Sequence, residues 1–368
     1  MPACQKVGIF YEEGYTMELI TRCLPVGTLP YDSIKHTTAM MAKLFQKTPF
    51  IALLPNLSSS DTLERHFFEN LPGIVYGDDN KFILKTGTKE YNEEMSVLDA
   101  VYKNPDSKDI EKFSFEAEFS EKYFQMIKKF KSPNAIINMP GPFTVSQILT
   151  PVAEEQVLAD KSYKKMFIQA VCVKALKIMK QINEISPNTV PIVILEEPEL
   201  GQLSLIKRRN EVITNEFVVE LISKVVEKLK GYGAIVGVQC LGKCDWSIPI
   251  KAGVNLISFD AYNNPNNLSI MADKLTKFLA KGGMINWGIV PVTSDNVIKG
   301  MKADYLYKRL ITTMEGAVHS GIPSDLIYKS AIFSVNGNMD KLSVIFAEKA
   351  IMLTKQLISR FVADFGTV

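Results

Sequence analysis

Histidine is nearly missing from this chain: His36, His66 and His319 are the only three in 368 residues. Each falls in an expected helix or in an insertion, away from the ends of the apolar runs, so imidazole acid-base catalysis is not expected. Neither sign of charge is in excess. Lys and Arg number 42 against 40 Asp and Glu, a net charge of +2, which gives no global field to recruit nucleic acid or an anionic membrane. No apolar stretch reaches the roughly 18 residues of a membrane span. The opening MPACQKVGIFYEEGYTM lacks the basic region and apolar run of a secretory leader, so a cytoplasmic location is the expectation. The five cysteines, Cys4, Cys23, Cys172, Cys240 and Cys244, are scattered and odd in number, which favours reduced thiols over a disulfide framework. No internal repeat, low-complexity tract or glycine-rich phosphate turn after the first apolar run is visible.

What is present is a globular composition, 46% apolar, 22% charged and 10% aromatic, able to bury a sizeable core. Eight short β-rich runs recur: VGTLP near Val26, FIALLP from Phe50, AIINMPG from Ala135, VPIVILEEP from Val190, AIVGVQC from Ala234, VNLISFDAY from Val254, MINWGIV from Met284 and AIFSVN from Ala331. Helical stretches fit between them: Asp32 to Lys47, Ala153 to Ile185, Asn210 to Lys230, Asn267 to Ala280, Ser294 to Ser320 and Lys341 to Phe361. That alternation predicts a single α/β domain over residues 1–368, a (β/α)8 TIM barrel. Two smaller α/β domains divided near Phe130 to Pro133 are the alternative. Between the second and third runs the spacing is too long for a loop, so residues 56–131 are expected to be an α+β insertion. GIVYGDDNKFILKTG reads as a hairpin around Asp78, Asp79 and Asn80, and the spacing of Phe115, Phe119, Tyr123 and Ile127 reads as a helix.

Catalytic groups of such barrels gather at the carboxyl ends of the strands, and these ends are polar here. Thr28, Asn138, Glu196 and Glu197, Gln239 and Cys240, Asp260 and Tyr262, Asn286 and Trp287, and Asn336 close successive runs. The expected catalytic residues are Glu196, Asp260 and Cys240, and the expected substrate-binding residues are Thr28, Glu197, Gln239, Tyr262 and Trp287. Adjacent carboxylates repel when both are buried, so either one has a raised pKa or alternation sends Glu196 and Glu197 to different faces. Glu199 reads as a solvated charge. Cys240 and Cys244 lack a second cysteine pair or nearby histidine and make a weak metal signature; one buried thiol and one loop thiol is the plainer reading, with a reactive thiolate at Cys240 as the alternative.

Six segments in order resemble the uroporphyrinogen decarboxylase and cobalamin-independent methionine synthase superfamily, specifically its stand-alone synthase-like proteins. VGTLPYD is similar to the family's opening IGSLPHT, ERHFFENLPGIV to its insertion segment, GPFT to its glycine-proline turn and VILEEPEL to IDEPAL. CDWSIPIKAGVNLISFDAY is similar to its DWS segment and sixth strand, and GGMINWGIVP to its seventh. The resemblance implies a barrel that transfers a methyl group to a thiol activated by zinc, the metal held by a His-x-Cys pair after strand five, a carboxylate after strand six and a cysteine after strand eight. Those positions fall on Gln239 and Leu241, on Asp260, and on or near Gly337, so only the carboxylate is kept. A leucine offers no donor atom and amides bind zinc poorly; a shifted set of Cys240, Cys244 and Asp260 is the substitute. The resemblance also implies that Thr28 lies near an amino-acid substrate and Glu196 receives its amino group. Asp245 and Trp246 match a DW pair read as helix capping and packing.

Three expectations follow. One is a methyltransferase-family enzyme acting on a small thiol or amino-acid-like molecule, with a folate or corrinoid methyl donor. The second is a metal-independent decarboxylase-like enzyme using Glu196, Asp260 and Tyr262, for which an arginine-rich approach is missing, Arg208 and Arg209 reading as helical. The third is a catalytically silent barrel serving as a binding or partner subunit, beside a corrinoid protein or as a homo-oligomer.

Overall fold

The computed structural model describes residues 22–25, 27–77, 81–149 and 161–366. In chain order its elements are α1 (Ile34–Leu44), α2 (Leu63–Phe68), β1 (Ile74–Tyr76), β2 (Phe82–Leu84), α3 (Lys89–Lys103), α4 (Ser120–Phe130), β3 (Asn134–Pro140), α5 (Pro142–Ile148), α6 (Lys161–Ile185) and β4 (Val190–Glu196). There follow α7 (Leu203–Arg209), α8 (Asn215–Lys230), β5 (Ile235–Cys240), α9 (Ser247–Lys251), β6 (Leu256–Phe259), α10 (Ala272–Ala280), β7 (Met284–Val290), α11 (Asp295–Gly300), α12 (Ala303–His319), α13 (Ser324–Lys329), β8 (Ala331–Val335) and α14 (Val344–Phe365).

The fold is mixed α/β, built on a curled parallel six-strand sheet in the order β3-β4-β5-β6-β7-β8. Helices separate the strands, as a parallel crossover requires. Of the eight runs expected as strands, the last six form this ladder. The first two make single parallel bridges instead: Cys23 with Phe333 of β8, Thr28 with Leu53, and Phe50 with Ile136 of β3. Proline explains the interruption. Pro25, Pro30, Pro49 and Pro55 punctuate both runs, and each removes an amide donor that a continuous ladder needs. The remaining amides are used: Leu24 donates to the Phe333 carbonyl at 3.0 Å, Leu53 to that of Gly27 at 2.7 Å, and Ile136 to that of Pro49 at 2.9 Å.

Helix α8 shows how the core is set locally. Thr214 accepts a hydrogen bond from the Phe217 amide at 3.1 Å and caps the helix, a contact of about 1 kcal/mol. Phe217, Val218, Leu221, Ile222, Val225, Val226 and Leu229 then form one buried stripe against the sheet. Residues expected as one helix over Ser294 to Ser320 divide into α11 and α12, and the expected helix from Ala153 is described from Lys161 onward as α6. Among the described residues no helix is long and apolar enough to cross a membrane.

Between the second run and β3 the chain forms α2, the antiparallel β1-β2 hairpin with Ile74 opposite Leu84, then α3 and α4. The hairpin's turn residues 78–80 lie outside the described residues. Two buried polar anchors fasten this segment. Asp61 accepts from the Leu54 amide at 2.6 Å and pairs with His66 Nε2 at 2.6 Å, which joins the end of the second run to α2. Lys174, fully buried on α6, donates from Nζ to the carbonyls of His66 at 3.2 Å, Glu69 at 2.6 Å and Ser114 at 2.7 Å.

Burial pushes the Lys174 ammonium down to about 7, partly opposed by Glu69 and Glu116. The unfolded chain keeps that proton to about pH 10.4, so between these values the unfolded state binds more protons and the lysine's contribution to stability rises with pH. Lys174→Met, which leaves three carbonyls without their donor, is expected to cost about 1–3 kcal/mol. In urea unfolding the loss is larger near pH 9.5 than near pH 6.5; an equal loss at both would show that the amine is not buried as a weakened base.

Candidate functional site

Registered residues of a parallel ladder share a face, and their chain neighbours take the other. Glu196 registers with Gln239, Gln239 with Ser258, Ser258 with Asn286 and Asn286 with Ile332, so these side chains form one row. Asn138 joins it by donating from Nδ2 to Glu196 Oε1 at 2.8 Å. Below the row's polar end, Asn286 Nδ2 donates to both Ser258 Oγ and Ser334 Oγ at 2.8 Å in a buried network. Two residues beyond Ser258 and Ser334, Asp260 and Asn336 continue the same face and meet each other, Asn336 Nδ2 donating to Asp260 Oδ1 at 3.1 Å.

Glu196 is half-buried, and its carboxylate makes a single hydrogen bond among the described residues. Burial pushes its carboxyl up to about 7, the Asn138 bond opposing and the like charge of Glu64 on α2 assisting. Because Asn138 turns its amide nitrogen to the carboxylate, Asn138 Oδ1 is left buried and without a partner. Gln239 is half-buried beside this pair, and its amide has no hydrogen-bond partner among the described residues. Thr28 is half-buried, its carbonyl accepting from the Met339 amide at 3.1 Å. The preceding Gly27 lies against Asn138, where a Cβ would stand 3.6 Å from Asn138 Cγ. Thr28, Asn138, Glu196 and Gln239 are thus gathered at one end of the sheet.

Glu197 goes elsewhere. It is fully buried, and its carboxylate accepts from the amides of Phe143 at 3.0 Å and Thr144 at 2.7 Å and from Thr144 Oγ1 at 2.7 Å. The carboxylate therefore caps α5, whose first residue is Pro142, and explains the GPFT turn: a Cβ on Gly141 would lie 2.1 Å from Glu197 Cδ. Burial pushes Glu197 up to about 7 against these three bonds. Its expected role as a substrate contact is replaced by a structural one, because all the carboxylate's hydrogen bonds go to the helix start. The sequence carried the signal in the pairing of Gly-Pro-x-Thr with a second glutamate, but nothing local joined the two.

Trp287 is also displaced from its expected place. It registers with Phe259 and Phe333 on the face opposite Asn286, is fully buried, and packs edge-on against Phe259, which in turn meets Trp246. Tyr262 is half-buried, its ring 4.4 Å from the Arg309 guanidinium and its carbonyl accepting from Arg309. Burial and a bond to Tyr305 raise its phenol. Arg208 and Arg209 are exposed on the last turn of α7.

The donor set does not fit zinc. The missing Cβ of Gly337 would stand 3.6 Å from Leu241 Cδ1, so two of the positions assigned by the resemblance are neighbours in space. They meet as an apolar contact. Asp260 is committed as well, accepting from the Asn263 amide at 2.9 Å and Asn263 Nδ2 at 2.7 Å in addition to Asn336. The substitute set fails by orientation: Cys240 registers with Phe259, on the face opposite Gln239 and Ser258. Among the described residues no group of three or more His, Cys, Asp or Glu side chains gathers around a metal position.

Glu196→Gln tests the buried carboxyl. A raised folded pKa gives stability that is complete below the unfolded value near 4.3 and lost as pH rises through about 7. The substitution is expected to be neutral near pH 4 and to stabilise by about 1–3 kcal/mol near pH 8, after allowance for water at the half-buried site. Urea midpoints that shift equally at both pH values would count against the raised carboxyl.

No family model matches the chain, and no curated protein matches it. Among solved structures, a Listeria monocytogenes protein described as a vitamin-B12 independent methionine synthase is similar at 12% identity, covering 91% of this chain and 86% of its own, with a TM-score of 0.55. A B12-independent methionine synthase from Shewanella sp. W3-18-1, in complex with selenomethionine, matches at 14% identity over 68% of each chain with a TM-score of 0.44. At these identities the Listeria structure bears on the fold alone, and there it agrees with the mixed α/β, parallel-sheet architecture.

Proposed function

We propose that this chain is a methionine synthase-like (β/α)8 barrel that binds a small amino-acid-like molecule by its ammonium group. The bridges at Cys23, Thr28 and Phe50 support closure of the sheet, since they link β8 through the first two runs to β3. The observation that carries the ligand class is the pair Glu196 and Asn138. Their mutual bond takes one carboxylate oxygen and leaves the other without a hydrogen bond among the described residues. A free acceptor oxygen on a carboxylate selects a donor that is cationic, and an ammonium group supplies both the hydrogen and the charge. Gln239 and Thr28 stand close enough in the fold to take the polar remainder of such a ligand.

The family resemblance makes methyl transfer to a thiol the first reaction to consider, from a folate or corrinoid donor. In the family zinc lowers the thiol's pKa; Gln239, Leu241 and Gly337 do not supply its ligands, so no step through zinc is assigned to this chain. A second reading is a barrel that keeps the amine pocket without catalysis, as a binding or partner subunit. The commitment of Asp260 to Asn263 and Asn336 favours it, because that carboxylate is a loop anchor here.

Calorimetric titration distinguishes these readings. Methionine and related α-amino acids are expected to bind, their N-acetyl forms are not, and Glu196→Ala weakens binding by about tenfold to a hundredfold. Equal binding of N-acetylmethionine would sink the amine pocket. Elemental analysis after growth with zinc is expected to give well under one metal per chain, and a stoichiometric zinc required for turnover would reverse the assignment. Methyl transfer by metal-stripped protein supports the enzyme; binding without any turnover supports the silent barrel.

A further inference from the structure

Strand β5 ends at Cys240, the chain turns through the exposed residues Leu241, Gly242 and Lys243, and Cys244 returns beneath them. Both thiols are buried, at 1% and 5% exposure, at the two ends of this turn, and Cys240 Sγ donates to the Gly242 carbonyl at 3.9 Å. The other two described cysteines, Cys23 and Cys172, lie on different elements of the fold. The roof over Cys240 is glycine. A Cβ on Gly201 would stand 3.2 Å from Gly242 Cα and 3.6 Å from Cys240 Sγ, and one on Gly242 would stand 3.1 Å from Gly201 Cα and 3.9 Å from the sulfur. Neither glycine has a side chain that could cover the sulfur from this side.

We propose that Cys240 and Cys244 are a reversible dithiol-disulfide site, oxidised by a low-molecular-weight disulfide of the glutathione class. Cys240 is the attacking sulfur and Cys244 the resolving one. The Cys240 thiolate attacks one sulfur of the small disulfide, forming a mixed disulfide and releasing one small thiolate, which is protonated. Cys244 then loses its proton and displaces the second small thiol from Cys240. Two protein thiols become one disulfide and the small disulfide becomes two thiols, so electrons and protons balance. The roles follow from their surroundings: the influence of each thiol on the other holds Cys240 below the ordinary thiol value and, together with burial, drives Cys244 well above it.

The bond has a local consequence at the sheet's polar end. It closes a ring around Leu241, whose side chain faces Gly337 and whose carbonyl accepts from Asn264 Nδ2 at 3.2 Å. Oxidation therefore stiffens the turn that borders Gln239. This inference stands apart from the amine pocket, and its test does not use a substrate.

The full chain is incubated with glutathione disulfide, residual thiols are alkylated, and peptides are read by mass spectrometry. The expected result is loss of two of the five thiols, with a peptide spanning Cys240 and Cys244 lighter by two hydrogens, no retained glutathione, and full recovery in reduced glutathione. Cys244→Ser is expected to trap glutathione on Cys240. Tryptic cleavage after the exposed Lys243 in the folded wild-type protein provides a second reading that needs no variant: it is expected to slow several-fold on oxidation. Oxidation that falls on Cys23 or Cys172 first, or a mixed disulfide on Cys240 that never resolves in the wild type, would overturn the proposal.

Discussion

In a parallel sheet the choice of register is also the choice of which side chains meet. The row from Glu196 through Gln239, Ser258 and Asn286 commits every strand-end residue to one face or the other. A slip of one residue on β5 would exchange Gln239 for Cys240 and put a thiol beside Glu196. The same constraint sends Cys240, Phe259, Trp287 and Phe333 to the opposite face. There Phe259 and Trp287 join Trp246 in one aromatic cluster, and Cys240 is buried one short turn before the buried Cys244. The candidate ligand site and the thiol pair are thus two results of one register.

Glu196 and Glu197 show how neighbouring identical residues acquire different work. Glu197 receives three hydrogen bonds at the start of α5, and bonds to a charged acceptor contribute about 1.5–3 kcal/mol each. A favourable helix terminus adds a further fraction of that. Those contributions outweigh anything a weakly held ligand could offer, so the carboxylate belongs to the fold. The Glu196 carboxylate has one bond among the described residues, to Asn138, and its remaining acceptor capacity is what a ligand can use. The second glutamate holds the GPFT turn against β4, and in doing so it fixes the strand end from which Glu196 projects.

Much of this fold was legible in the sequence because strand runs and helical stripes are local patterns. The last six runs, the hairpin between Ile74 and Leu84 and the stripe of α8 all lie where periodicity put them. The first two runs were readable as apolar and extended, but their prolines limit them to single bridges. Helix α3 escaped because KEYNEEMSVLDAVYK buries only Tyr91, Leu98 and Val101, too sparse a stripe to stand out from a polar insertion. At the site, composition identified the polar strand ends, and Thr28, Glu196 and Gln239 came together. Glu197 and Trp287 did not join them, since the facing of a residue at a strand end depends on long-range pairing and on what the next helix needs. The Asn138 contact was equally invisible: it joins residues separated by 58 positions.

Asp260 carries the general lesson about retained residues. The resemblance implies a zinc ligand at this position, yet its three hydrogen bonds close the loop after β6 through Asn263 and tie it to Asn336 after β8. Removing it would leave the buried Asn336 amide unpaired, a penalty of about 1–3 kcal/mol, with or without a metal. The folded state therefore gives a sufficient reason to keep the aspartate. No comparable constraint holds a donor at Leu241 or Gly337, where the neighbours are an apolar methyl group and Val292. Chemistry alone would retain ligands there, and packing alone accepts leucine and glycine. An aspartate with this structural task is accounted for by the fold, so its presence cannot stand as evidence for a metal.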